Sequence, residues 1–226
     1  MKRIIFFIAC LGTISPVAQA DISANIGVTS NYVFRGFTQT NDDPAIQGGV
    51  DYNHNSGFYA GAWASQVDCP ATSNCAGAGG ANNDGLEIDV YAGINAELQG
   101  DIILDIGLIQ YNYTDSDRDE TLELYFGLGI GPITGTYYWG DDNNTGSPDY
   151  QYLDLKFRMD LGDDVKMTLH YGRLDPDTGE KVSDVSVGLS KEILGADVSI
   201  TATSEDRNDS KQEELFLTIS KTFDIQ

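Results

Sequence analysis

The sequence predicts an all-β chain, a transmembrane antiparallel meander β-barrel of about twelve strands. Three observations predict it. Apolar residues recur at every second position in segment after segment. The connections between these segments are alternately tight and long. The chain opens on an export signal, and no later stretch is long and apolar enough for a membrane-spanning helix.

Composition agrees. The 226 residues include 25 Gly and 12 Tyr but only 6 Pro, which favours sheet over a helical bundle. There are 13 Lys+Arg against 35 Asp+Glu, a net charge of −22. A chain this acidic repels phosphates, so no nucleic acid partner is expected. Hydrophobic residues make up 41%, enough for an ordered fold. With 2 His and 3 Cys, little material remains for a metal centre.

Residues 1–20 read as a signal peptide. Lys2 and Arg3 precede the apolar run Ile4–Leu11, and Ala18-Gln19-Ala20 precedes Asp21. The apolar run is shorter than the roughly 20 residues of a membrane anchor. Cys10 lies inside it, too early for a lipoprotein cleavage site. Residues 21–226 are expected to form one barrel domain. Losing Lys2 and Arg3 takes the net charge from −22 to −24. It also leaves Cys69 and Cys75, an even, closely spaced pair that reads as a disulfide in an exported protein.

The strands follow in order. Ile22, Ala24, Ile26 and Val28 share a face, continued by Tyr32 and Phe34. Ile46, Val50 and Tyr52 mark the second strand, and 57–67, less cleanly, the third. The fourth is the clearest: Leu86, Ile88, Val90, Ala92, Ile94, Ala96 and Leu98 alternate with mostly polar residues. Ile102 to Leu108 and Leu122 to Ile130 form the fifth and sixth, and 133–140 the seventh. Leu153 to Leu161, Val165 to Tyr171, Val185 to Leu189 and Ala196 to Ala202 follow. Leu215, Leu217, Ile219 and Phe223 mark the last.

Tight connections are expected at Asn53–Ser56, Gln99-Gly100, Gly131-Pro132, Gly162–Asp164 and Glu192–Gly195. Long ones are expected at Gly36–Pro44, Asp68–Asp84, Thr114–Asp119, Asp141–Pro148, Leu174–Lys181 and Ser204–Gln212. A meander barrel with both termini on the inner side of the membrane needs this order.

Alternation alone does not say which face is inside, because a soluble sandwich or lipocalin-like barrel alternates too. Three features favour an apolar face turned to lipid. The polar face is rich in Gly, Tyr, Thr and Asn. Tyr32, Phe34, Tyr137, Trp139, Tyr150, Tyr152 and Tyr171 gather near the outer strand ends like an interfacial girdle. The last apolar set ends in Phe223.

With that orientation, the lumen and its mouths carry Asp51, Glu87, Asp89, Glu97, Asp105, Glu123, Asp154, Asp160, Asp184, Asp197 and Glu214. Arg35, Lys156, Arg158 and Lys166 oppose them, and His170 is a polar lumen residue. Carboxylates outnumber basic groups, so a conducting barrel is expected to prefer cations. Arg35 fits either a salt bridge that braces the barrel or a selective constriction.

No catalytic residue, cofactor or metal is expected. His170 has no nucleophile and orienting group placed beside it by any motif. Gly127-x-Gly129-x-Gly131 runs into Pro132 and another strand, not the helix a phosphate loop opens. Asp141–Gly146 has calcium-like oxygen ligands, but the twelfth position of such a loop is Tyr152, not Glu.

Several blocks carry a family resemblance. They are Ser30–Gly36 (SNYVFRG), Pro44–Tyr52 (PAIQGGVDY) and Gly57–Asp68 (GFYAGAWASQVD). Leu86–Gly93, Asp105–Gly107 and Thr218–Phe223 extend it. Together they resemble the TorF family of porin-like proteobacterial proteins over nearly all of residues 21–226. The resemblance implies an outer-membrane β-barrel and no known substrate or catalytic residue. The sequence departs from the pattern at Thr114, where Pro usually follows Tyr-x-Tyr, and in the three residues after Phe223.

The expected function is passive diffusion of small hydrophilic solutes or cations through a monomeric barrel. Its setting would be the outer membrane of a Gram-negative cell, in contact with lipid and lipopolysaccharide. The alternative is a closed structural or adhesive barrel whose acidic loops bind ions.

Overall fold

A meander closes with antiparallel pairing only if its strand number is even, because its first and last strands must run in opposite directions. The computed structural model describes residues 21–68, 85–98, 100–114, 120–141, 149–207 and 210–225. Among them, twelve strands close into one barrel. The first three barrel strands are β1 (Asp21–Thr29), β4 (Ala45–Asn53) and β5 (Phe58–Val67). Then come β6 (Gly85–Leu98), β7 (Ile102–Tyr113), β8 (Thr121–Ile130) and β9 (Ile133–Asp141). The remainder are β10 (Tyr150–Gly162), β11 (Val165–Pro176), β12 (Val182–Ile193), β13 (Ala196–Arg207) and β14 (Ser210–Ile225). A two-residue ribbon, β2 (Val33–Phe34) with β3 (Phe37–Thr38), stands apart from the wall.

Every barrel strand pairs with its neighbours in the chain, and β1 seals the seam against β14, from Ile22↔Ile225 to Thr29↔Thr218. The tight turns behave as expected. Asp163 and Asp164 (φ 51° and 60°), and Leu194 and Gly195 (φ 55° and 77°), are left-handed at both central positions. That is the hairpin geometry whose twist matches the flanking strands.

Barrel closure decides the question that alternation leaves open. Val90, Ile94 and Ile106 stand more than half exposed on the outer surface, while Tyr59, Glu87 and Glu123 are almost fully buried inside. The apolar belt faces outward all round, as a bilayer requires. Among the described residues no helix could cross a membrane.

Three expectations are corrected. β1 stops at Thr29, and residues 31–40 turn into the barrel, leaving only 41–44 of the expected outer loop exposed. Side-chain bonds hold this turn: Thr29 Oγ1 donates to the Asn31 carbonyl (2.8 Å), and Thr38 Oγ1 to Asn31 Oδ1 (2.6 Å). Asn31 Nδ2 donates to Asp42 Oδ1 (2.7 Å). Second, the outer aromatic girdle loses four members. Tyr32 and Phe34 travel inward with that segment, and Tyr150 and Tyr152 point inward from β10. Trp139 and Tyr171 are exposed on the outer face. Third, the long connection expected at Ser204–Gln212 is mostly hairpin, since β13 and β14 pair as far as Arg207↔Ser210. Likewise β11 extends to Pro176. Cys69, Cys75, residues 1–20 and residues 142–148 lie outside the described residues.

A closed barrel with every strand paired on both edges resists detergent. Unboiled protein in detergent is therefore expected to migrate differently from boiled protein on a gel. Identical migration would contradict the closed fold.

Candidate functional site

The inner wall is built from tyrosine, glycine and carboxylate. On a sheet, one face presents every second residue, so Tyr91 lies directly across from Gly61, Tyr59 from Gly93, and Tyr125 from Gly107. Each ring lies over the bare backbone of the glycine opposite. A Cβ at Gly61 would stand 2.5 Å from the Tyr91 ring, and one at Gly107 would stand 2.3 Å from the Tyr125 hydroxyl. Glycine lets the rings lie flat and keeps space inside a twelve-stranded wall.

The tyrosine hydroxyls then serve the buried acids. Tyr59 donates to Asp105 (2.6 Å) and exchanges a hydrogen bond with Tyr125 (2.5 Å). Tyr91 donates to Asp51. Tyr111 (2.9 Å) and Tyr150 (2.6 Å) donate to the two oxygens of Glu123. Tyr152 donates to Asp184 (3.1 Å), and Tyr32 to Glu87 (3.0 Å). A phenol hydroxyl satisfies a carboxylate without cancelling its charge.

The inward segment crosses this lumen at its tip. Arg35 and Gly36 are left-handed (φ 51° and 86°), which turns the β2–β3 ribbon sharply. On one side the Arg35 guanidinium grips Glu123 with two bonds of 2.7 and 2.9 Å. It lies over the rings of Tyr152 (4.1 Å), Phe34 (4.7 Å) and Tyr138 (5.0 Å). On the other side Gly36 presses against β12 and β13. A Cβ there would meet the β-carbons of Asp184 and Glu205 at 2.8 and 2.9 Å. Arg207 lies 4.7 Å over the Phe37 ring. The tip thus spans from the β8–β10 wall to the β12–β13 wall. Arg35 sits on this inward loop, not on a strand, and its observed contact is a brace to Glu123.

A cavity of about 650 Å³ opens beside the tip. One side, from β4 to β10, presents Asp51, Asp89, Asp105 and Asp154, and Asp184 joins them from β12. The other, from β12, β13, β14 and β1, presents small groups such as Ser186, Thr201 and Ser220. Lys156 Nζ holds Asp154 at 2.5 Å. His170 sits between two carboxylates, 3.5 Å from Asp154 and 3.3 Å from Asp184. Arg158 reaches Thr134 Oγ1 (3.0 Å) nearer the inner end. Glu97, Asp160 and Lys166 are exposed toward that end. Asp197 pairs with Ser220 in the sheet. Glu214 accepts from Asn31 Nδ2 at 3.3 Å, at the outer side.

Among the described residues eight carboxylates are buried: Asp51, Glu87, Asp89, Asp105, Glu123, Asp154, Asp184 and Glu205. Among the described residues Arg35 is the basic side chain buried to a comparable degree, at 9% exposed, and no group of three or more His, Cys, Asp or Glu could hold a metal ion. Sequence reasoning missed Glu205, because it assigned that residue to a loop. It also missed the tyrosines as partners of the acids, although their alternation with glycine on the polar face was visible.

Comparison with known proteins agrees with this architecture. The COG4313 outer membrane channel from Pseudomonas putida F1 is 10% identical. It superposes with a TM-score of 0.60 over 93% of this chain and 97% of that chain. The KdgM porin in complex with disordered oligogalacturonate is 6% identical, with a TM-score of 0.52 over 90% and 99% of the two chains. At these identities the likeness is one of fold. A search of curated proteins finds no match. Residues 13–223 match the family model described as "Bacterial protein of unknown function (Gcw_chp)", and a match over that much of the chain places this protein in the Gcw_chp family.

Proposed function

We propose that this protein is a monomeric outer-membrane channel for passive diffusion of small hydrophilic solutes, and that it prefers cations. The outward apolar belt, the channel fold of its structural neighbours and the resemblance to TorF porin-like proteins support the setting. An export signal at residues 1–20 and contact with lipid and lipopolysaccharide belong to the same reading. One observation carries the selectivity. The buried acids are satisfied mainly by tyrosine hydroxyls, which leave their charge in place, so the lumen stays anionic. An oligogalacturonate, itself a polyanion, would meet repulsion here.

In a planar bilayer with a salt gradient, the purified protein is expected to give discrete openings and a reversal potential of cationic sign. Anionic selectivity at neutral pH would overturn the reading. A second reading, a closed structural barrel, draws on the loop tip that spans the lumen. Absence of any openings would favour it.

A further inference from the structure

Asp89, the fifth residue of β6, differs from the other buried acids. It is 5% exposed, and its Oδ1 has no hydrogen-bond partner. Asp51, Glu87, Asp105, Glu123 and Asp184 each accept a tyrosine hydroxyl instead. A buried carboxylate oxygen left unmatched is costly unless the acid takes up a proton or something else binds it.

Its surroundings suggest what does. In the sheet, Trp63 of β5 and Tyr111 of β7 are the direct register partners of Asp89, on the same inner face. Phe34 of the inward segment packs at 5.8 Å on Tyr111. Asp51, held by Tyr91, lies on the next strand but one, and all six residues line the same cavity. A carboxylate with an unused oxygen beside three aromatic side chains matches one ligand chemistry. An ammonium head donates to the carboxylate and is attracted by the rings, and its alkyl chain lies against them. A divalent ion fits poorly, since no group of acids among the described residues has the arrangement to hold one.

We propose that Asp89, Trp63, Tyr111 and Phe34 form a binding site for small primary amines in their ammonium form, and that these amines are a solute class of the channel. The solute role rests on the channel reading above; the binding site itself does not.

The test uses refolded protein in detergent and n-butylammonium chloride as the probe. Tryptophan fluorescence reports on Trp63, with Trp63→Phe identifying its share against Trp139. Saturable quenching by butylammonium is expected, with no comparable effect of sodium chloride or sodium butyrate. Asp89→Asn is expected to weaken binding by about tenfold or more, the order that follows from losing a charge-assisted bond. Asp160→Asn, which removes a carboxylate at the inner end, should bind as the parent does. Tetramethylammonium has the charge but no N–H donor and should bind much more weakly, a comparison made on the parent protein alone. Equal binding by Asp89→Asn, or by tetramethylammonium, would overturn the proposal. Butylammonium binding without ion conduction would keep the site and reject the channel. Conduction with no butylammonium binding would do the reverse.

Discussion

Arg35→Ala is expected to raise single-channel conductance severalfold while leaving the heat-dependent gel shift intact. The inward segment is held at two levels. Its base is fixed by the Asn31, Thr38 and Asp42 bonds and by Tyr32 on Glu87. Its tip depends on Arg35, whose guanidinium holds Glu123 at 2.7 and 2.9 Å amid aromatic rings. Removing one partner of a buried ion pair costs roughly 3–5 kcal/mol when the other charge is left unmatched. Glu123 keeps the hydroxyls of Tyr111 and Tyr150, so the loss of Arg35 falls mainly on the loop tip and less on the wall. Glu123→Gln should be harsher, because it strands the guanidinium. It is expected to lower resistance to unfolding as well as to change conductance. An Arg35→Ala channel with parental conductance would show that the tip is not the narrow point.

Gly61→Ala is expected to destabilise the barrel by about 1–3 kcal/mol, the usual range for overpacking. The three atoms nearest to the added methyl all belong to the Tyr91 phenol, at 2.5 to 2.6 Å. That ring cannot swing away without breaking its bond to Asp51. In a Tyr91→Ala background the same substitution should cost almost nothing. The two changes should therefore be strongly non-additive in urea unfolding of the refolded protein. Gly129→Ala is the control. It lies on the same inner face, but its nearest neighbours, Ile103 and Thr134, are at an ordinary 3.5 Å. Simple additivity of Gly61→Ala and Tyr91→Ala would refute the idea that ring-over-glycine packing sets the wall.

The outward belt and the turns were legible because both are local. The period-two pattern from Leu86 to Leu98 is a property of the pleat itself, and it reappears as β6 with Val90 and Ile94 exposed. Turns at Asp163-Asp164 and Leu194-Gly195 follow from short spacing between strands. Segments 57–67 and 133–140 alternated poorly because aromatic side chains stand on both of their faces, Phe58 opposite Tyr59 and Trp63, and Trp139 opposite Tyr138, with small residues between. They are strands nonetheless, held by neighbours on either edge.

What tertiary structure alone decided is which distant residues meet. Arg35 and Glu123 are 88 positions apart, and Tyr59 and Asp105 are 46 apart. No periodicity within a strand encodes either contact, because each depends on the register between strands and on the closing of β1 against β14. The inward turn at residue 30 is the sharpest case. Tyr32 and Phe34 continue the spacing of the outward face, so the pattern alone extends β1 past Thr29. On a continued strand Arg35 would stand on the lumen face at the barrel rim, whereas the inward turn brings it to Glu123 and four aromatic rings. The free energy of that pairing exists only once the barrel has assembled around it. By itself, therefore, the sequence determined about twelve alternating strands with one apolar and one acidic face, and assembly decided which face turns outward and which segment crosses the lumen.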